Sequence, residues 1–299
     1  MSRSSPAWKM GCGSLGRGMY FPKFWARGEH EGFGCWGFSD DDTEHARRRA
    51  LERARAIAER FRAGQQLGRY GYPDRPMREP VLQSFADSSG KPAGVITRNS
   101  YGCAVLNAAQ MFVADVDVPD PRQYPGLVQK LFGGGKSEIR GSFGSPQFAA
   151  ALRKVREAAS GRAGGLCLIY RTAGGLRVIV ADRLIDPSSE EAGQLHERMG
   201  SDPLYVRLCR NQESFRARLT PKPWRCGHHA APARWPFVDA KSERVFKAWE
   251  DTYLERIQDY AVSCLIDAVG EGIVHSEIKP LLAVHDQFSR AGSRDLPLA

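Results

Sequence analysis

Long apolar runs are missing from this chain of 299 residues. No stretch approaches the roughly 18 consecutive apolar residues that a membrane-crossing helix needs, which argues against a spanning protein. Met1 to Gly18 carries a few charges but no apolar core of the secretory-signal kind, so the cytoplasm is the expected location. Paired cysteines are missing too. The seven cysteines are scattered from Cys12 to Cys264, which excludes a disulfide framework and agrees with a reducing compartment. Cys226-Gly-His228-His229, with Cys209 upstream, has zinc-ligand residue types but none of the strong zinc spacings, so zinc is not expected. Phe132-Gly-Gly-Gly-Lys-Ser137 stops short of a phosphate loop. The required first glycine would fall at 130, where Lys130 stands, leaving a flexible basic loop. No Ser-His-Asp order or nucleophile elbow is present. His275 and His285 read as helix-surface or core residues.

Positive charge is in excess: 43 basic against 34 acidic residues, a net +9. That balance favours a polyanionic partner such as nucleic acid or nucleotide. Residues 1–40 are rich in glycine, serine and aromatics without a period, and predict an irregular segment docked on the body. Ser39-Asp-Asp-Asp-Thr-Glu44 opens a helix expected over about His45–Leu67. Ala50, Leu51, Ala54, Ile57, Ala58 and Phe61 line one face, and arginines cover a solvated remainder. Residues 68–90 read as loop, and 94–106 as a strand region. A short helix fits Tyr124–Leu131. Pro146–Ser160 predicts an amphipathic helix capped by Ser145. Leu166–Arg171 and Leu176–Ala181 predict a hairpin. A helix capped by Ser188 is expected over 187–199, a strand over Asp202–Leu208, and two or three helices from Ser242 to Asp286.

Three stretches carry chemistry. In Gln110-Met-Phe-Val-Ala-Asp-Val-Asp-Val-Pro-Asp120, strand alternation places Val113, Asp115 and Asp117 on one face and Phe112, Ala114, Val116 and Val118 on the other. The two aspartates would stand roughly 6.5–7 Å apart, and their mutual repulsion is relieved by a divalent cation, for which oxygen ligands suit Mg²⁺ or Mn²⁺. The plain alternative is a strand ending at a solvated turn. In Tyr170-Arg-Thr-Ala-Gly-Gly-Leu-Arg-Val178 the hairpin tip, Gly174 and Gly175, lets a ligand approach the backbone. Arg171, Thr172 and Arg177 surround it as a triphosphate clamp, or as an ordinary surface hairpin. The third stretch interleaves Arg207, Arg210, Arg216, Arg218, Lys222 and Arg225 with Tyr205, Phe215 and Trp224. It suits a single-stranded backbone or a solvated basic face.

Taken together, these stretches resemble the archaeo-eukaryotic primase superfamily, in particular the primase-polymerases of plasmids, phages and mobile elements. The strand ending in Asp115-Val-Asp117 is similar to that family's acidic motif. Thr172-Ala-Gly-Gly-Leu-Arg-Val178 is similar to its glycine hairpin, with Arg177 where a histidine is usual. Asp202 and Phe215-Arg-Ala-Arg-Leu-Thr-Pro-Lys222 resemble its third acidic residue and basic segment, without the usual Gly and Asn. The resemblance covers about residues 94–226. It implies an α/β (α+β) fold with a mixed sheet whose open face holds the site, helices behind it and a helical C-terminal part. The expected division is 1–40, a catalytic domain over 41–235 and a helical region over 236–290. It further implies template-dependent nucleotidyl transfer with two Mg²⁺ or Mn²⁺ ions on Asp115, Asp117 and Asp202, or Asp182 as substitute. Arg171, Thr172, Gly174, Gly175 and Arg177 would bind nucleotide, and Arg210, Arg216, Arg218, Lys222 and Arg225 nucleic acid. Partners would be single-stranded or primed nucleic acid and nucleoside triphosphates. A nucleic-acid-binding protein without catalysis and a metal-dependent nuclease are the rival readings.

Overall fold

The computed structural model describes residues 19–65, 76–118, 144–161 and 165–299. The segments proposed as a helix near 124–131 and a basic loop at 132–137 lie outside these residues. The chain begins with β1 (Phe24–His30) and β2 (Phe33–Ser39), an antiparallel hairpin closed by Glu31-Gly32, followed by α1 (Thr43–Arg62). The described part, 19–40, of the segment expected to be irregular is therefore mostly strand. The buried stripe of α1 is alanine alone: Ala46, Ala50, Ala54 and Ala58. The reason is proximity. A Cβ on Gly37 would lie 2.1 Å from the Ala46 carbonyl oxygen, so only small residues fit on either side. Larger neighbours leave that stripe, and Phe61 is exposed. Arg49 and Arg53 fold back and donate to the carbonyl oxygens of Phe38 and Trp36. Because β1, β2 and α1 pack as one unit, a boundary at residue 40 cuts through it.

Two four-stranded sheets form the body. One has the order β3 (Val81–Ala86), β4 (Pro92–Arg98), β5 (Ala104–Ala108), β9 (Phe215–Arg218). The other has the order β10 (Ser263–Val269), β7 (Cys167–Thr172), β8 (Gly175–Val180), β6 (Val113–Asp117). The α+β class holds, but among the described residues every pair of these strands is antiparallel, so neither sheet is mixed. β3 falls inside the stretch read as loop, and the 94–106 strand region is a hairpin that turns at Asn99–Cys103.

The helices α2 (Pro146–Ser160) and α3 (Glu190–Met199) pack on each other beside β8 and β6. Ser145 caps α2 as expected, accepting from the Phe148 amide at 3.1 Å; Ser189 rather than Ser188 caps α3. Asp202–Leu208 is not a strand. Asp202 is the N-cap of α4 (Pro203–Asn211), and Pro203 fills the first helical position, where its missing N–H costs nothing. Toward the C-terminus, α5 (Ala240–Arg256) and α6 (Lys279–Ser289) flank β10. A strand thus interrupts the stretch expected to be helical throughout, and its pairing with β7 makes the C-terminal region part of the body.

The main core lies between the sheets and helices, built on Ile96, Leu106, Phe112, Ile169, Leu176 and Phe215. Each such side chain contributes about 1.5–3 kcal/mol by leaving water. A smaller cluster, Cys226, Phe246, Trp249, Tyr253 and Ile257, fastens α5 to the segment after β9. Among the described residues no helix is long and apolar enough to cross a membrane, and the six described cysteines are free.

Candidate active site

β6 is the edge strand of its sheet and β9 the edge strand of the other. The two edges are stitched by Tyr205 of α4. Its hydroxyl lies 2.9 Å from the Val113 carbonyl oxygen and 3.0 Å from that of Arg216, and it accepts from the Arg216 amide. The candidate site occupies this seam, with acids from one sheet and bases from the other.

On β6 the alternation is as read from the sequence. Val113, Ala114 and Val116 are buried, Asp115 is half-buried and Asp117 is exposed at the strand end. Across the ladder Asp115 pairs with Arg177 and Asp117 with Gly175. The Val118 amide donates to the Gly174 carbonyl at 2.9 Å, which carries the ladder to the hairpin tip. Gly175 has φ +153°, and a Cβ there would lie 2.1 Å from the Val116 carbonyl oxygen, so no side chain fits. A Cβ built on Gly174 would stand 3.7 Å from both an Asp117 carboxylate oxygen and an Arg225 guanidinium nitrogen. The acids, the glycine tip and the basic segment therefore converge.

Asp202 joins them by an unforeseen route. Its amide donates to the Asp115 carbonyl at 3.0 Å, while its carboxylate Oδ1 accepts from the Leu204 amide at 3.1 Å as the α4 cap. The positive end of α4 thus abuts the acidic strand. Crowding by surrounding protein, then Asp115, then Asp202 hold the Asp117 carboxyl above its ordinary range, with Lys222 and Arg218 opposing. Burial and mutual repulsion lower the Lys222 ammonium and the Arg225 guanidinium, each feeling Arg218. Among the described residues no three His, Cys, Asp or Glu side chains form a ligand set. A hard cation here would be held by the Asp115–Asp117 pair together with substrate phosphates and water, as Mg²⁺ commonly is.

The other expected residues divide. Arg218, Lys222 and Arg225 surround the acids. Lys222 precedes and Arg225 ends a single 3-10 turn (Pro223–Arg225) that carries Trp224 outward. Arg177 does not clamp a ligand at the surface. It is 2 % exposed and donates to the Arg218 carbonyl at 3.0 Å and to His285 Nε2 at 3.1 Å. Because arginine only donates, His285 must accept at Nε2 and donate from Nδ1 to Asp286, 2.8 Å away. Arg216 is buried as well, with both Glu79 oxygens within 3.0 Å and Asn107 as a further acceptor, so it cannot meet nucleic acid. Arg210 is exposed at the far end of α4, roughly 12 Å along the axis from Asp202. Arg171 and Thr172 are half-buried. Thr172 Oγ1 accepts weakly from the Gly174 amide, while Arg171 faces Cys264 across the β7–β10 ladder. Asp182 is ion-paired with Arg183 beyond the opposite end of β8, roughly 20 Å from the glycine tip, and cannot substitute as a ligand. Phe215 is core, Tyr205 is the stitch, and of the three interleaved rings only Trp224 is exposed.

Sequence reasoning read His285 as a helix-surface or core residue, and it is a core residue of α6, but its bond to Arg177 was not foreseen; Glu79 and Tyr101 were missed. The arginine bonds of His285 and Glu79 carry no local signal, since Arg177 and Arg216 lie over a hundred positions away from them. Tyr101 sits in an Asn-Ser-Tyr-Gly turn, where an aromatic with no core to enter is itself a surface signal. Comparison with family models, with curated proteins and with solved structures found no match.

Proposed function

We propose that this chain is a template-dependent nucleotidyltransferase of primase-polymerase type, joining nucleotides on single-stranded or primed nucleic acid. The observation that carries the reading is the convergence at one seam of Asp115 and Asp117, the Gly174–Gly175 tip and the Arg218, Lys222 and Arg225 cluster. An acidic pair facing a basic wall is the arrangement that cation-assisted transfer between phosphates requires.

Asp115 and Asp117 would hold Mg²⁺ or Mn²⁺. The raised Asp117 carboxyl supports this, because partial burial together with two neighbouring carboxylates, Asp115 and Asp202, is a strain that a dication relieves. Bound there, the ions would lower the pKa of the attacking 3′-hydroxyl and steady the leaving pyrophosphate. Arg218, Lys222 and Arg225 would hold triphosphate or strand phosphates. The tip at Gly174 leaves open backbone against which a nucleotide can lie. Arg177 takes a supporting part: it ties β8 to the end of β9 and so fixes the acids against the bases.

The test offers primed single-stranded DNA, NTPs or dNTPs, and Mn²⁺ to the wild type and to Asp115→Ala/Asp117→Ala. Product growth in the wild type alone is the expected result. Shortening of the strand in the wild type alone would make the protein a nuclease, and an equal salt-sensitive shift in both with no product would make it a binder.

A further inference from the structure

Beside the basic cluster, two large rings stand in solvent. Trp224 is 51 % exposed and Tyr101 is 45 % exposed, and they meet edge to face with centroids 5.2 Å apart. The Lys222 ammonium lies 5.6 Å from the Trp224 ring centroid. The backbone beneath both rings is held by hydrogen bonds.

Trp224 rides on the turn Pro223–Arg225, and the backbone from Thr220 to Pro223 that leads into it is pinned from below. The Pro221 carbonyl accepts from the Tyr253 hydroxyl (2.5 Å) and from Cys103 Sγ. Thr220 Oγ1 accepts from the Ala104 amide, and the Pro223 carbonyl accepts from the Cys226 and His228 amides. Tyr101 is presented by a turn knotted on Asn99, whose side-chain oxygen accepts from the Tyr101 and Cys103 amides at 2.9 and 3.1 Å. Gly102 closes that turn at φ +87°, where an added Cβ would lie 2.4 Å from the Trp249 ring. Rings that pack on each other above a hydrogen-bonded backbone lose less freedom when a ligand lands on them than rings on a loose loop.

We propose that Trp224 and Tyr101 form a stacking platform for the unpaired bases of a single strand whose phosphates run along Arg218, Lys222 and Arg225. The inference rests on the nucleotidyl-transfer reading for its ligand class, and it adds the element that grips bases rather than phosphates. Charge complementarity selects the occupant. A cationic rim beside exposed rings matches a polyanion carrying flat apolar faces, and it serves any base sequence because every base has a π-face. The platform favours single-stranded over double-stranded nucleic acid, since paired bases present no free face.

The experiment measures anisotropy of a fluorescent oligothymidylate and of an abasic oligomer of equal length and charge. Proteins are the wild type, Trp224→Ala, Trp224→Phe, Tyr101→Ala and Arg225→Ala. The wild type should bind oligothymidylate about tenfold tighter than the abasic strand, the worth of a base–aromatic stack. Trp224→Ala should bring that ratio close to one, Tyr101→Ala should reduce it, and Trp224→Phe should restore most of it. Arg225→Ala should weaken both strands alike and keep the ratio. Because the ratio is taken within one protein sample, partial unfolding of a variant cancels. A wild-type ratio near one, or a ratio unchanged in Trp224→Ala, overturns the platform. That includes the case in which the variant instead alters self-association, which would mark a protein-docking patch. Primer extension by the wild type is scored separately, so a failed platform with intact extension is distinguishable from failure of the nucleotidyl-transfer reading itself.

Discussion

Asp115 of β6 stands directly across the ladder from Arg177 of β8, and the Arg177 guanidinium, turned into the core, bonds the carbonyl of Arg218 on the neighbouring sheet. One residue thereby joins the acidic strand to the basic segment. Arg177→Ala would leave that carbonyl and His285 Nε2 without a donor and is expected to cost about 2–4 kcal/mol, from two unmet buried acceptors. Thermal or urea unfolding checks this. A variant as stable as the wild type with only a raised nucleotide KM would return Arg177 to the role of ligand clamp.

The Asp117 carboxyl is held above its ordinary range in the fold, first by its surroundings and then by Asp115 and Asp202. A carboxyl raised on folding supports the fold while protonated, and that support is lost as pH rises through the folded pKa. Asp117→Asn should therefore raise the melting temperature at pH 7 by about 1–2 °C, small because the group is exposed, and leave it unchanged near pH 3. Millimolar Mn²⁺ should stabilise the wild type more than the variant through linkage, read by the same melts.

Arg216 and Arg218 sit two positions apart on one strand yet should respond oppositely. Glu79→Gln or Arg216→Met breaks a buried pair and is expected to cost about 3–5 kcal/mol. Arg218→Ala should change stability little. It should lower the salt slope of single-strand binding by about 0.7, the value of one phosphate contact. Titrations at several salt concentrations separate the two.

His196 lies 3 % exposed between Phe112 and Phe215, and burial pushes its pKa down to about 4. An unfolded histidine takes its proton near pH 6.5, so the fold loses stability as pH falls from there toward 4, by about 3 kcal/mol in total. His285, also lowered by burial, acts in the same direction. His196→Phe should flatten part of this acid slope in urea midpoints measured between pH 7 and pH 4.5. An unaltered slope would place the titrating group elsewhere.

The chain alone settled what depends on near neighbours. Alternation decided which face of β6 carries Asp115 and Asp117, glycines marked the β7–β8 tip, and Ser145 set the start of α2, because side-chain direction, turn sterics and caps act within a few residues. At Asp202-Pro203 the sequence reading failed: the apolar alternation after it resembles a strand, whereas Asp202 caps α4. Only the tertiary structure decided that Arg177 and Arg216 face inward while Arg218 faces the site, that the two sheet edges meet, and that Tyr101 comes beside Trp224. Those outcomes depend on which distant surface each strand covers, as with Glu79 and His285, and an arginine enters a core only where such a remote partner waits for its charge or its hydrogen bonds.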